Sequence, residues 1–224
     1  MFFVENPIVK ADSLAEQVYR YLRHEILTGG FAPGSKLVES QLAKDFQISR
    51  SPLREAIRRL EQEGLLVTCH GVTHLFEPSQ QDFEDLYELR MALEPLAAGL
   101  AARHMADEDF VRMRILLEQT DRYLETSEVD AFVDSNAAFH DMIVQASNNQ
   151  RLVRTMAEVS SLARYYRYIC FKLYRRQVDS TEQHWRVYRA LVARDEELAQ
   201  DEMYSHLAAD LAYIHSTAYL MTVR

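Results

Sequence analysis

Glycine is spread unevenly along this chain, and that unevenness limits the possible fold more than any other feature. Five of the six glycines (Gly29, Gly30, Gly34, Gly64, Gly71) precede residue 77. From residue 79 onward there is one glycine, Gly99, and one proline, Pro95. These two residue types interrupt helices, whereas the long second stretch is rich in Ala, Leu, Glu and Arg, which favour them. The spacing predicts that nearly everything after residue 79 is helical. The first 76 residues read as a small mixed domain with tight turns. The boundary is placed at Glu77–Pro78–Ser79–Gln80. No internal repeat and no low-complexity tract is evident.

Charge divides at the same place. The 224 residues carry a net charge of −9. Residues 1–76 hold nine basic and nine acidic side chains, so the remaining 16 basic and 25 acidic residues carry the whole excess. A basic face in the first part is therefore compatible with an acidic chain. Two cysteines, Cys69 and Cys170, with no CxxC pair, exclude a disulfide framework and a cysteine-based zinc finger. No apolar run approaches the roughly 20 residues needed to span a bilayer. The sequence MFFVENPIVK lacks a basic segment followed by an apolar one. The expectation is a cytoplasmic protein with no membrane partner.

Within the first domain, Ser13-Leu-Ala-Glu16 has the pattern of a capping box, with Ser13 accepting from the backbone and Glu16 reaching back. Leu14, Val18, Tyr21, Leu22 and Ile26 mark one face of the helix that follows, and Gly29-Gly30 ends it. Pro33-Gly34 is a turn, and 38–46 a short helix. Gln47-Ile48-Ser49 leads to a third helix that starts at Ser49–Ser51 with Pro52 in its first turn and stops at Gly64. The runs 65–69 and 72–76 around His70-Gly71 read as a hairpin.

On the third helix Leu53, Ala56, Ile57 and Leu60 recur at helical spacing and face a core. Arg50, Arg54 and Arg58 recur every four residues on another face. A short helix, a tight turn and a helix with arginine at its N-terminal end fit a helix-turn-helix whose second helix enters the major groove. Arginine's planar fork suits both guanine edges and phosphates. The alternative is a solvated basic face with no partner.

These residues carry a resemblance. Pro33-Gly34-Ser35-Lys36-Leu37, Glu39 to Leu42-Ala43, Ser49-Arg50-Ser51-Pro52-Leu53-Arg54-Glu55-Ala56 and Leu60-Glu61-Gln62-Glu63-Gly64-Leu65 resemble the winged helix-turn-helix of the GntR transcription factors. The resemblance implies that Arg50 reads bases. It also implies that Arg54, Ser49 and Ser51 hold phosphates or bases, and that the wing tip at Gly71, with His70 beside it, enters the minor groove. Arg58 extends the same stripe. Ser40 stands where some relatives have a DNA-contacting arginine, so an operator borrowed from them does not transfer.

The second domain opens with Asp82-Phe-Glu-Asp-Leu-Tyr-Glu-Leu-Arg-Met-Ala-Leu-Glu-Pro-Leu-Ala. This is similar to the all-helical FCD ligand domain of the FadR-like GntR subgroup, and the similarity runs through the remaining chain. The fold expected is mainly α: a winged helix-turn-helix over 1–76 and an antiparallel helical bundle over 77–224. From the residues alone, Asn136 lies one turn before His140, and His184 and His206 sit in two later helices. Whether they converge stays open at this level. The FCD resemblance implies that they do, because the subgroup commonly has Asp or Asn, three residues, then His, and two later histidines 22 apart, the separation of 184 and 206. Asn136, His140, His184 and His206 are the ligand set so implied.

Three neutral imidazoles suit Zn²⁺, and also Ni²⁺, Mn²⁺ or Fe²⁺. Many relatives have aspartate in place of Asn136, so this site is the more positive one and a better receptor for an anion. Arg90, in a helix otherwise lined by Leu86, Leu89, Leu93 and Leu96, is the candidate clamp for a small carboxylate. The competing assignment for Arg90 is a surface residue paired with Glu94. Ser180, one turn before His184, is a candidate lining residue. Glu202 and Asp210 are candidate acceptors for the second imidazole N–H of His206, or are simply solvated. The aromatic run Tyr165-Tyr166-Arg167-Tyr168, with Phe171 and Tyr174, reads as bundle or subunit-seam packing rather than a base-stacking surface.

The expected function is a homodimeric repressor on a pseudo-palindromic double-stranded DNA operator, controlled by a small organic acid at the metal. Three rivals stand beside it. A hydrolase would use the three histidines and an open position, but no general base accompanies them and a winged helix would be superfluous. A direct metal sensor would respond to the ion alone. A structural metal would only cross-link helices.

Overall fold

The computed structural model describes residues 12–174 and 178–218, with side chains within 170–180 and at 217–218 left aside. The chain divides into two compact units between Phe76 and Glu77. Each unit has its own core.

The first unit begins with α1 (Leu14–Leu27). Ser13 caps it by accepting from the Glu16 amide at 3.2 Å. The expected reach-back of Glu16 is not made. Its carboxylate pairs with Arg59 on a later helix, and Arg20 lies 3.7 Å away, so an inter-helix ion pair replaces a local cap. Next come α2 (Glu39–Asp45) and α3 (Arg50–Gln62), joined by four residues. Leu53, Ala56, Ile57 and Leu60 of α3 pack inward with Leu22 and Ile26 of α1. Strands β2 (Leu66–Cys69) and β3 (Val72–Leu75) form the expected hairpin. Its turn residues His70 and Gly71 both have left-handed torsions (φ 51° and 77°), the geometry that matches strand twist in two-residue turns. The sequence reading did not include β1 (Lys36–Leu37), which pairs antiparallel with β3 and makes a three-stranded sheet of order β1-β3-β2. A two-residue strand has no periodicity to reveal it; partner Thr73 and His74 define it.

The second unit contains α4 (Gln80–His104), α5 (Asp107–Thr126), α6 (Val129–Ala146), α7 (Gln150–Tyr174), α8 (Val178–Val192) and α9 (Glu196–Ala218). Among the described residues, links of two or three residues join α4 to α5, α5 to α6, α6 to α7 and α8 to α9, as in up-down bundles. Ser79 and Asp82 form a complete capping box at the start of α4. At its other end, Arg194 donates to the carbonyls of Met105 (2.5 Å) and Ala102 (3.4 Å) and pairs with Asp107 at 3.0 Å. This ties the α8–α9 turn to the α4–α5 junction. The most extensive helix pairing is α4 with α9. Small residues Ala97, Ala98, Ala101 and Ala102 permit the close approach, and Leu207, Met203 and Ala199 of α9 are buried in turn.

Candidate nucleic-acid interface and metal centre

In the first unit Ser49, Arg50, Ser51, Arg54 and Arg58 are all exposed on α3 or its N-terminus, and His70 and Gly71 are exposed at the hairpin tip. Ser49 caps α3 with an extended backbone, yet its hydroxyl makes no capping hydrogen bond, which leaves it available to a ligand. Arg54 Nε donates to Glu39 Oε2 at 2.9 Å, so α2 steers this arginine while its side chain stays half exposed. The apolar face of α3 is fully committed to the core. Its basic face is exposed, with Arg54 steered by Glu39, which is what a docking helix requires.

In the second unit three histidines from three helices meet. His140 (α6), His184 (α8) and His206 (α9) are all buried, and one nitrogen of each lies within 4.8 Å of those of the other two. The Nε2 atoms of His184 and His206 face each other at 3.2 Å. Two nitrogens each bound at about 2.0–2.1 Å to one tetrahedral ion would sit about 3.3 Å apart, so this spacing fits a shared cation. Asn136, one turn before His140, is buried with its Oδ1 unpartnered. His140 Nε2 is likewise buried and unpartnered.

Two of the three remaining imidazole nitrogens are held from behind, while His184 Nδ1 is buried without a hydrogen-bond partner. His140 Nδ1 meets Glu94 Oε2 at 2.5 Å and His206 Nδ1 meets Gln183 Oε1 at 2.9 Å. Each acceptor fixes the tautomer that leaves Nε2 as a lone-pair donor. The sequence named the wrong acceptors for His206. Glu202 pairs instead with Arg186 at 3.3 Å. Asp210 lies 3.9 Å from Nε2, not beside Nδ1, and accepts from the Tyr87 hydroxyl at 3.3 Å. One helical turn sets Glu202 and Asp210 near His206 in sequence, but the ring points toward α8.

Burial is the main force that holds all three imidazoles well below their usual pKa. Next in weight come His206 for His184, and His140 for His206, while the Glu94 carboxylate opposes the shift at His140. The neutral, metal-competent form is thereby favoured.

Arg90 resolves its two assignments in an unexpected way. It does pair with Glu94, Nε to Oε1 at 2.6 Å, but both residues are inside the bundle. Arg90 is 0 % exposed, whereas Leu89 and Leu96, expected to line its apolar surroundings, face outward. Both Nη atoms of Arg90 are buried without a partner. Burial would lower its pKa, but Glu94 and Tyr87 more than offset this and keep it charged. Burial also works to raise Glu94, and Arg90, His140 and Arg167 together hold it well below the carboxylate range. Arg167, hidden within the aromatic run, is buried too, as are Tyr165, Tyr166 and Tyr168 of the same helix. Burial, reinforced by Arg90, pushes its pKa down to about 10. Neither Glu94 nor Arg167 was singled out as functional in the sequence; the i, i+4 Arg90–Glu94 spacing was the one available signal. The side chain of Ser180 lies outside the described residues, as do those of Phe171 and Tyr174.

The two units thus present a basic helix-turn-helix face with a wing and an internal imidazole cluster, the parts of a DNA-binding regulator with a ligand domain. The family comparisons agree with both. Residues 14–74 match the model of bacterial regulatory proteins of the gntR family, and residues 85–209 match the FCD domain. The chain belongs to this family: it is a GntR-type transcriptional regulator with an FCD domain. It is 29 % identical over 203 residues to an uncharacterized regulator, YdhC, of Bacillus subtilis, covering 88 % of this chain and 89 % of that one. It is 32 % identical to the Nta operon transcriptional regulator of Aminobacter aminovorans, over 79 % of this chain and 83 % of the other. Identity to the repressor RspR of Escherichia coli is 25 %, over 91 % and 90 %. The fold matches E. coli McbR/YncC with a TM-score of 0.80 at 22 % identity, covering 93 % of this chain and all of that one. A GntR regulator from Rhodococcus matches at 0.78 and 23 %, over 92 % and 99 %. These relatives are regulators, not enzymes. No described helix is long and apolar enough to cross a membrane.

Proposed function

We propose that this protein is a homodimeric repressor whose operator affinity is set by a small carboxylate bound at a divalent metal in the FCD domain. Arg50, Arg54 and Arg58, with Ser49 and Ser51, are the DNA contacts on α3, and His70 and Gly71 those of the wing. Asn136, His140, His184 and His206 hold the ion, Zn²⁺ being the best fit to three imidazoles and an oxygen, with Ni²⁺, Mn²⁺ or Fe²⁺ as alternatives. Bound there, the ion supplies a Lewis-acid seat for an oxygen anion. The residues around it do the selecting: Arg90 offers its fork to the carboxylate, Glu94 orients both Arg90 and His140, and the Tyr87 ring covers the Arg90 guanidinium.

The observation that carries this reading is the pairing of an imidazole cluster with an arginine whose two Nη atoms are buried and unpartnered. Leaving buried donors unsatisfied costs about 1–3 kcal/mol, more for a charged group, and an entering carboxylate removes that cost. Leu89, Leu93, Leu96 and Leu100 recur on the outer face of α4 and support a second copy of the chain as the partner there. A regulator of this kind acts in the cytoplasm, where the DNA is. RspR, described as a repressor, supports the negative sign.

The test is a gel shift on the upstream DNA of the gene, with zinc-loaded and chelator-treated protein, across a panel of organic acids. Acid-induced release that needs the metal supports the proposal. Release or retention governed by metal alone makes the protein a metal sensor and overturns the effector half.

A further inference from the structure

The hairpin that carries the wing tip is anchored at its base. Leu65, Leu66 and Leu75 are buried there. Backbone bonds run from the Leu65 amide to the Leu60 carbonyl (3.0 Å) and from the Phe76 amide to the Leu65 carbonyl (2.9 Å). Beyond Leu66 the strand leaves the core: Val67, Thr68 and Cys69 of β2 are exposed, as are His70 and Gly71 of the turn. β1 steadies β3 as far as Thr73. On the other side of the hairpin, β2 is tied to α3 through side chains. Thr68 faces Thr73 across the ladder, and their hydroxyls lie 2.8 Å apart. The Thr68 hydroxyl is also 2.5 Å from Oε1 of Glu61, in the last turn of α3.

The direction of this relay follows from its end. An ionised carboxylate only accepts, and a threonine hydroxyl has one proton to give. Thr68 therefore donates to Glu61, and Thr73 donates to Thr68. Thr73 is 6 % exposed, and the relay satisfies its buried hydroxyl. The last bond is charge-assisted, the stronger kind. Its placement matters more than its strength. The turn begins two residues beyond Thr68, about 7 Å along the strand. The relay thus fixes the angle between α3 and the wing tip, the two parts that must reach a duplex together. An acidic side chain on a docking helix works against the attraction of phosphates. At Glu61 the carboxylate has a use that offsets this.

We propose that Glu61 and Thr68 are positioning residues for DNA binding: with Thr73 they latch the wing to α3, so that His70 and Gly71 reach the duplex when the helix is seated. This rests on the reading that the wing tip touches DNA, and it adds what aims the tip.

The experiment is an anisotropy titration of the full-length protein with the upstream DNA fragment that the wild type retards in a gel. Electrostatics alone predicts that losing the Glu61 charge tightens binding, whatever replaces it. The latch predicts a split. Glu61→Gln keeps an acceptor for Thr68 and binds at least as tightly as wild type. Glu61→Ala has none and binds about fivefold more weakly, the size of one net hydrogen bond. Thr68→Val repeats that loss with no change of charge, and Thr68→Ser, which keeps the hydroxyl, restores binding. His70→Gly removes the tip side chain and leaves a Gly-Gly turn, which suits a two-residue hairpin. Its loss and that of Thr68→Val do not add in the double variant, because a misaimed wing has no tip contact left to lose. A merely structural role for Thr68 gives additive losses. Additive losses overturn the inference, and so does Glu61→Ala binding as tightly as Glu61→Gln. If His70→Gly weakens binding and Thr68→Val does not, the latch alone fails. If His70→Gly changes nothing, the wing-tip contact fails and the latch with it.

Discussion

Both units of this protein depend on arginine, and they use it in opposite ways. Arg50, Arg54 and Arg58 of α3 lie on the surface; Arg54, although paired with Glu39, keeps 55 % of its side chain exposed. Arg90 has none of its surface exposed and Arg167 has 7 %. An exposed guanidinium keeps its hydration, and the fold neither gains nor loses much by it. A buried one must be offset by neighbours, so changing it disturbs the fold and the site together. Function and stability should therefore separate cleanly in the first unit and be entangled in the second.

The sharpest test of that contrast is the double substitution Arg50→Ala/Arg54→Ala. A well-placed arginine contact to DNA is worth about 1–3 kcal/mol, so losing two lowers operator affinity on the order of 1,000-fold. Stability in urea should stay within about 0.5 kcal/mol of wild type, as for other surface changes. A gel shift and a urea melt on the same samples check both halves. Retained operator binding would remove α3 as the docking helix.

Glu94→Gln is the counterpart in the second unit. It leaves Arg90 without its buried counter-charge and His140 without a carboxylate acceptor. Removing one partner of a buried pair costs about 3 kcal/mol or more. Loss of the carboxylate behind a metal-binding histidine lowers metal affinity about 10–100-fold. Urea melts and competition with a zinc-binding dye should move together here, whereas in the first unit the two kinds of readout part company. A fully stable Glu94→Gln protein with normal zinc affinity would break the comparison.

The same contrast explains what the sequence shows and what it hides. The helical second unit is legible because so few residues after 79 interrupt a helix, and α3 is legible because apolar and basic residues fall on separate faces. His140, His184 and His206 were found through a family spacing, and the structure brings them together. Arg90 was ambiguous because Leu89, Leu93 and Leu96 give α4 a second apolar stripe, and periodicity does not tell which stripe faces inward. Glu94 looked like an ordinary i+4 surface partner. Arg167 sat among tyrosines that masked it. Gln183, the acceptor for His206, precedes His184 by one residue and points past it to α9, a relation with no signature along the chain. Buried polar groups of this kind are positioned by contacts between helices, so they are the least visible from sequence.

A smaller effect is expected from pH, again confined to the second unit. Burial holds His140, His184 and His206 below their ordinary pKa in the folded state. The facing charged groups are Arg90 and Glu94 on α4, Arg167 on α7 and Asp210 on α9. As pH falls, the unfolded chain takes up protons near the unperturbed value of about 6.5 while the folded chain does not, so stability drops. Above that value both states are neutral at these sites and stability is flat. Between pH 7.5 and 6.0 the loss is about 0.8 kcal/mol per imidazole, roughly 2 kcal/mol for the three. Urea melts of metal-free protein at the two values measure it. Replacing the three histidines by glutamine should flatten the profile.

Glycine provides the finest test, because each unit uses it for a different reason. At Gly71 no atom lies within 4 Å of where a Cβ would be, but φ is +77°. Alanine there costs about 1 kcal/mol through backbone torsion alone. Gly99 lies in α4, where alanine would normally improve a helix by about 0.5–1 kcal/mol. Its Cβ would meet the Cγ of Gln200 at 2.8 Å. Gln200 must swing aside, and overpacking of this kind costs about 1–3 kcal/mol, so Gly99→Ala should be destabilising by about 1 kcal/mol net. The two losses are similar in size and differ in cure. Gly71→Asn should lie close to wild type, since asparagine tolerates left-handed torsions. Gly99→Ala should be rescued by Gln200→Ala, which clears the space and leaves the helix with its better residue. Urea midpoints for these four proteins decide the matter: rescue at Gly99 by trimming Gln200 identifies space as the constraint in the helical unit, and its absence would mean that torsion governs both.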